Sequence, residues 1–353
     1  MHRAARTSCL VCLLAGPGWS LAATSTEATT VAAPIAFVSI RAGDAHIFIN
    51  DGKGPDRRLT LGNTVNTQPA FSADGRLAYV SQVNGLPTVF LLDENGTSPR
   101  RLTGDARVEL APSWAPDGKA LAYYSMESET GIFELRVHDF ERGKSVSLPG
   151  HQRGKGPGPV SWSADGARMA FLGEDDKGRS QLWVVQRDGS NLREVSSKFA
   201  PRGAASVSLS PDGRTVAWVA DLRELRPIVV TNLTSGESRN LTPESQAGHE
   251  SPRWSPDGSE LVFASTRDGA LNGRSDIFVM AADGSKVRNL SRHPHDDFDP
   301  KWSADGRSVV FASLRSGTSL LYEVSLDSGV TRALSNHSSH DMDHTVRPLA
   351  ALR

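Results

Sequence analysis

Cysteine is almost absent from this 353-residue chain, and both copies, Cys9 and Cys12, lie near its start. Without cysteine beyond residue 12 there is no disulfide framework and no thiolate metal site. Stability must then come from burial and strand pairing. Neither sign of charge is in surplus: 39 Lys and Arg stand against 40 Asp and Glu. No basic stripe marks a nucleic-acid surface. Long apolar runs are also missing. The one candidate, Cys9 to Ala15, is too short, and too broken by Gly16, Pro17 and Gly18, to span a bilayer. No Gly-x-Ser-x-Gly elbow and no phosphate-cradling glycine loop occurs. The chain therefore offers no complete catalytic motif and no catalytic residue to nominate.

The N-terminus has the order of a secretory signal peptide: Arg3 and Arg6, the apolar run, then the small residues Ser20-Leu21-Ala22-Ala23. Cleavage is expected near Ala22 or Ala23, with residues 24–33 a flexible lead and residues 34–353 one folded domain. Removing Arg3 and Arg6 leaves 37 basic and 40 acidic residues. The reading places the mature chain in the periplasm or outside the cell, with no transmembrane segment, as a monomer.

What the chain has in abundance is a repeated phrase. Ser72-Ala73-Asp74-Gly75 recurs as Ala115-Pro116-Asp117-Gly118, Ser163-Ala164-Asp165-Gly166, Ser210-Pro211-Asp212-Gly213, Ser255-Pro256-Asp257-Gly258 and Ser303-Ala304-Asp305-Gly306, with Asp-to-Asp steps of 43, 48, 47, 45 and 48 residues. Ser, Pro or Ala, Asp and Gly suit a type I turn followed by a glycine at positive φ. Apolar runs flank each copy, such as Trp254 before and Leu261-Val262-Phe263-Ala264 after. Each copy is therefore a β-hairpin. A second hairpin follows in each unit, as in Asp276–Met280, Asp283-Gly284 and Val287–Ser291. Four strands in about 45 residues match a β-propeller blade.

The second hairpins number seven, because Ile35–Ser39, His46–Ile49 and Arg58–Thr60 form an extra one at the N-terminus. Its missing first strand is at the other end: Asp341–Pro348 aligns with Asp297–Ala304. An all-β propeller of seven four-stranded blades is expected, with both termini sharing one blade and no long edge left unpaired. Six blades follow if the C-terminal segment does not pair.

Pro252-Arg253-Trp254-Ser255-Pro256-Asp257-Gly258 and Pro300-Lys301-Trp302-Ser303-Ala304-Asp305-Gly306, followed by Leu-Ala-Tyr or Val-Phe-Ala strands and Arg-x-Leu-Thr, resemble the repeat of the TolB-like (WD40-like, PD40) propellers. The resemblance covers nearly the whole mature chain. It implies a periplasmic, non-enzymatic scaffold that binds a protein or peptide partner in the cell envelope. TolB itself carries a separate N-terminal domain and six blades, and this chain departs from it in both respects. The same repeat occurs in prolyl-oligopeptidase-like peptidases and in oligogalacturonate lyases, which makes a metal-dependent carbohydrate-active enzyme the alternative.

Acidic and imidazole side chains gather in the loops that lead into the inner strands of the later blades: His249, His293, His295, Asp297, Asp299, Asp341, Asp343 and His344. Carboxylates suit Ca²⁺ or Mg²⁺ and imidazoles Zn²⁺ or Mn²⁺. One reading is a divalent cation at the channel mouth, with His249, His293, His295 and His344 serving the enzyme alternative. The other is that the aspartates cap turns and the histidines are solvated. The arginines Arg58, Arg101, Arg239, Arg288 and Arg332, before Leu-Thr, Leu-Ser or their equivalents, are expected to be edge charge, and the repeat tryptophans core.

Overall fold

The structure is a computed structural model describing residues 33–348 except 42, 84, 105–106, 128–130, 154–157, 159, 176, 197–203, 223–224, 244, 246, 270–272 and 336–339. The leader reading, residues 1–23, and the cleavage sites lie outside the described residues.

The described residues form seven four-stranded antiparallel sheets, the seven blades of a β-propeller. Blades one to six have inner strands Asn66–Phe71, Val108–Trp114, Ser161–Trp162, Ala204–Leu209, His249–Trp254 and Asp297–Trp302. The closing blade takes its inner strand, His340–Val346, from the C-terminus and its other three from the N-terminus. Ile35 pairs with Val346, Ala36 with Thr345 and Val38 with Met342, and the Arg347 amide donates to the Pro34 carbonyl at 2.9 Å. The closing blade then packs on both neighbours: Phe37 and Phe48 against Val310 and Leu321 of blade six, Val38 and Ile47 against Phe71 and Tyr79 of blade one.

The repeated phrase is visible in its bonds. In Ser163-Ala164-Asp165-Gly166 the serine hydroxyl donates to Asp165 at 2.6 Å, the Ala167 amide donates to the same oxygen at 2.9 Å, and the Gly166 amide closes the turn on the Ser163 carbonyl. The turns at Ser210, Ser255 and Ser303 repeat these bonds. Hydrogen bonds from Ser163 and from the Ala167 amide hold Asp165 below the ordinary carboxylate range. Glycine is needed because the fourth turn residue sits near φ +66 to +93° in all six copies.

The Leu-Thr and Leu-Ser motifs have a different cause. Most outer strands are only two or three residues long, so the third strand runs past them with an amide still to satisfy. The hydroxyl takes that amide: Thr60 accepts from Ile47, Ser196 from Leu182, Thr242 from Ile228, Ser291 from Ile277 and Ser335 from Leu321, all at 2.9–3.1 Å. The tryptophans tie neighbouring blades. The indole N–H of Trp114, Trp162, Trp254 and Trp302 donates to the carbonyl of Ala70, Ser113, Ser208 and Arg253 respectively, each on another inner strand. Arg239 and Arg288 do more than charge an edge, since each donates to a carbonyl of the following blade, Asp283 and Leu326.

Candidate binding site in the central channel

Every inner strand but one carries a residue in the left-handed region. Gln68, Ala111, Ser206, Ser251, Asp299 and Asp343 have φ between 47 and 53°, and the pairing register of each strand slips there. These are β-bulges, which re-aim side chains and bend the strand. A non-glycine residue held at positive φ costs on the order of 1 kcal/mol or more, and such strain collects at functional sites. The six residues, with Gly158 of blade three, surround a cavity of about 490 Å³ on the axis of the ring.

The ring is laced from blade to blade. Asp343 accepts the Gln68 amide at 2.6 Å, the Gln68 side-chain carbonyl accepts the Ala111 amide at 2.7 Å, and the Ser206 hydroxyl accepts the Ser251 amide at 3.4 Å.

Charge is confined to one wall. Arg253, Asp299, Lys301 and Asp343, from blades five, six and the closing blade, line the cavity, whereas Ala111, Gly158 and Ser206 on blades two to four are uncharged. The Lys301 ammonium lies 3.2 Å from Asp299 and donates to the His344 carbonyl. Burial opposes ionisation of Asp299, but Lys301, His344 and Arg253 outweigh it and hold the carboxyl at about 2. Burial raises Asp343, and Lys301 offsets only part of that. The His344 ring is buried behind this wall, 3.5 Å from Asp299, and neither ring nitrogen makes a well-formed hydrogen bond. Burial, reinforced by Lys301, lowers it to about 3.

The eight residues singled out from the sequence thus fall into three places. Asp299 and Asp343 line the cavity, with His344 directly behind. Asp297, Asp341 and His249, at the start of their inner strands, are fully buried outside it. Asp297 is gripped by Arg315 at 3.1 Å to both oxygens, while Arg315 also donates to Ser313 and stacks on Phe311 and Tyr322. Asp341 lies 3.8 Å from Arg41, which likewise donates to Ser39, stacks on Phe37 and Phe48, and pairs with Asp56. His249 has the third such arginine nearby, Arg267, which stacks on Phe278. Burial, and then Arg267, lower His249 to about 4. His293 and His295 stack on each other, with ring centres 5.5 Å apart, in the loop before blade six. Among the described residues, no three His, Cys, Asp or Glu side chains come together as a metal site.

Sequence reasoning passed over Gln68, Ser206, Ser251, Arg253 and Lys301. Arg253 and Lys301 are the variable residue of Pro-x-Trp, and Gln68, Ser251 and Asp299 immediately precede its proline. Three arginines that anchor the inner-strand starts share a Ser-x-Arg signal, Ser39-Ile40-Arg41, Ser265-Thr266-Arg267 and Ser313-Leu314-Arg315.

A seven-bladed ring of four-stranded sheets around a lined axial cavity defines a β-propeller. The TolB β-propeller domain model matches residues 30–202 and 200–349, so the chain belongs to that family. It is 28% identical over 214 residues to an uncharacterized protein of Agrobacterium fabrum, covering 56% of this chain and 69% of that one. It is 32% identical over 259 residues to the Tol-Pal system protein TolB of Bordetella pertussis, covering 61% of this chain but only 57% of TolB. Among solved structures, TolB from Acinetobacter baumannii superposes with a TM-score of 0.58 at 17% identity, over 89% of this chain and 82% of that one. An oligogalacturonate lyase in complex with manganese superposes at 0.63 and 18% identity, over 87% and 86%. At these identities the structural matches establish the fold alone. No helix among the described residues is long and apolar enough to cross a membrane.

Proposed function

We propose that this chain is an exported, non-catalytic scaffold that binds a protein or peptide partner of the cell envelope at its channel face. The observation that carries the reading is the strained ring of six left-handed residues, laced by side chains, around a cavity with one charged wall. A rigid scaffold that holds strained loops in fixed register presents donors and charges without further ordering, which favours recognition of an extended segment. Family membership supports it, since TolB of Bordetella pertussis is named as part of the Tol-Pal system. Export rests on the leader composition of residues 1–23.

The test is affinity capture from envelope extract with the mature protein and with Lys301→Met and Arg253→Met variants of unchanged melting temperature. A partner retained by the parent protein and lost by the variants supports the scaffold. A partner held equally by all three places recognition elsewhere.

The alternative is a metal-dependent carbohydrate-active enzyme, and what favours it is the pair of His344 and Asp299, 3.5 Å apart, at a cavity that Asp343 also lines, short, among the described residues, of the three converging ligands of a metal site. Lys301 argues against it, because its ammonium already lies beside Asp299, where a cation would be held. Elemental analysis of the purified protein separates the two readings: a stoichiometric metal lost in Asp299→Asn would move the assignment to the enzyme.

A further inference from the structure

Six of the seven outer strands have two or three residues; that of blade two, Lys144–Arg153, has ten. It is the terminal strand of its sheet, so its far edge has no strand neighbour among the described residues. A long free edge is a ready template for another strand. This one adjoins a cavity of about 700 Å³ between blades two and three, whose apolar floor is Val137, Val146 and Leu148. Val146 is 57% exposed there, on a strand where Leu148, two residues on, is buried. A second cavity, of about 440 Å³, shares Gln186 and Asn191 with the first, so the two form one trough across the rim of blade three.

The charge in the trough is one-sided. Arg142 is paired with Asp139 and Arg187 with Asp117. Lys144, Arg168 and Arg193 also line it, and none forms an ion pair among the described residues, although Arg168 is near enough to Asp165 to help Ser163 lower its pKa. Arg168 and Arg193 donate to the carbonyls of Gly213 and Leu233, which fixes their place without neutralising them. The remaining lining carboxylate, Asp188, accepts the Ser190 amide of its own turn and keeps its charge, so the lining carries three unpaired cations against one unpaired carboxylate, a net positive balance. A chain of formal net charge −1 thus concentrates uncompensated positive charge beside an apolar floor and a free strand edge.

We propose that this trough is a second docking surface, separate from the channel, for an extended acidic segment of a partner protein. The segment adds a strand along Lys144–Leu148. Side chains two apart on an added strand share a face, as Lys144, Val146 and Leu148 do, so a segment whose trough-facing positions alternate apolar and acidic residues sets an apolar side chain against Val146 and carboxylates towards Lys144, Arg168 and Arg193. Main-chain pairing supplies affinity and the side-chain contacts supply selectivity.

The experiment is fluorescence anisotropy with the mature protein and a labelled peptide in which glutamate and valine take alternate positions on one face of the strand, with serine at the positions between. A lysine–valine peptide and a single-stranded oligonucleotide serve as controls. The glutamate peptide is expected to bind, more weakly as salt screens the arginines. Val146→Asp and Lys144→Glu, both at exposed positions, should each weaken it about tenfold or more, a loss readily resolved in Kd, with unchanged melting. Lys301→Met in the channel should leave it unaffected. No binding, equal binding of the lysine peptide, tighter binding of the oligonucleotide, or indifference to both rim variants overturns the proposal.

Discussion

Blades five, six and the closing blade differ from blades one to four in what they place at the start of the inner strand. The first group has His249, Asp297 and Asp341, each with an arginine from a Ser-x-Arg segment close by. The second group has Asn66, Glu109 and Ala204 there, and no Ser-x-Arg at the end of the second strand. Its polar members turn to the preceding blade instead, whereas the arginine anchors stay within one blade: Asn66 bonds His46 of the closing blade as well as donating to Thr64, and Glu109 accepts the Val89 amide and the Thr103 hydroxyl of blade one. The charged channel wall lies in the same three blades as the arginine anchors. A repeat thus keeps its turns and core throughout while a contiguous group of blades is given a different electrostatic design. The anchors hold the strands whose next turn of backbone presents Asp299 and Asp343 to the cavity.

The largest test of this division is removal of the strand that joins its ends. Truncation before His340 takes away the inner strand of the closing blade and leaves Ile35–Arg41 as a bare apolar edge. Thermal unfolding should lose its single cooperative transition or move far downward. An unchanged melting curve would show that closure contributes nothing.

Next come the anchors themselves. Arg315→Met leaves the fully buried Asp297 without its bidentate partner, which should cost about 3–5 kcal/mol by urea unfolding. Arg267→Met should cost far less, because lowering of its pKa keeps His249 neutral and no buried charge is orphaned. Equal losses in the two variants would mean that the arginines act through packing on the aromatics rather than through charge.

The same contrast has a pH signature. An ordinary histidine titrates near 6.5, and burial holds His249 at about 4 in the folded chain. Between those values the unfolded chain binds the proton and the folded one does not. The stability is therefore present above about pH 6.5 and lost as pH falls towards 4, at about 1.4 kcal/mol per unit for one such group. His249→Leu should flatten that part of the stability profile. A slope unaltered by the substitution would assign the acid sensitivity to another group, with His344 the next to replace.

Legibility in the sequence followed from repetition. The turn, the two hairpins, the tryptophans and the shared closing blade each recur or complete a recurrence, so six near-copies of Ser-Pro-Asp-Gly and one leftover hairpin were enough to count seven blades. The site was only partly legible, because it occupies the positions where copies differ. Asp299 and Asp343 were found as members of an acidic cluster, but nothing in a string of Asp and His distinguishes Asp299, which lines the cavity, from Asp297, two residues earlier and locked on Arg315. That distinction depends on Asp299 itself being left-handed, immediately before Pro300, which reverses the alternation expected of a strand. Arg253 and Lys301 were hidden for a related reason: they are the variable residue inside the motif that was read for its turn.

The smallest prediction isolates the strain on the neutral side of the ring. Ala111 has φ near 50° and, unlike Gln68 or Asp343, no side-chain acceptor with which to offset it. Its amide bond to Gln68 survives substitution, and the side chain removed is a single methyl packed against the core of blade two. Ala111→Gly should therefore relieve a backbone strain of about 1 kcal/mol, less the packing of one methyl and the extra freedom that glycine gives the unfolded chain, and should leave the protein no less stable. Asp343→Gly relieves the same strain but gives up the carboxylate that receives the Gln68 amide, and should be destabilising. Opposite signs for the two substitutions in urea unfolding would show that lacing offsets strain on the charged side of the channel and not on the neutral one. The same sign for both would mean that the ring is held by its blades and the lacing is incidental.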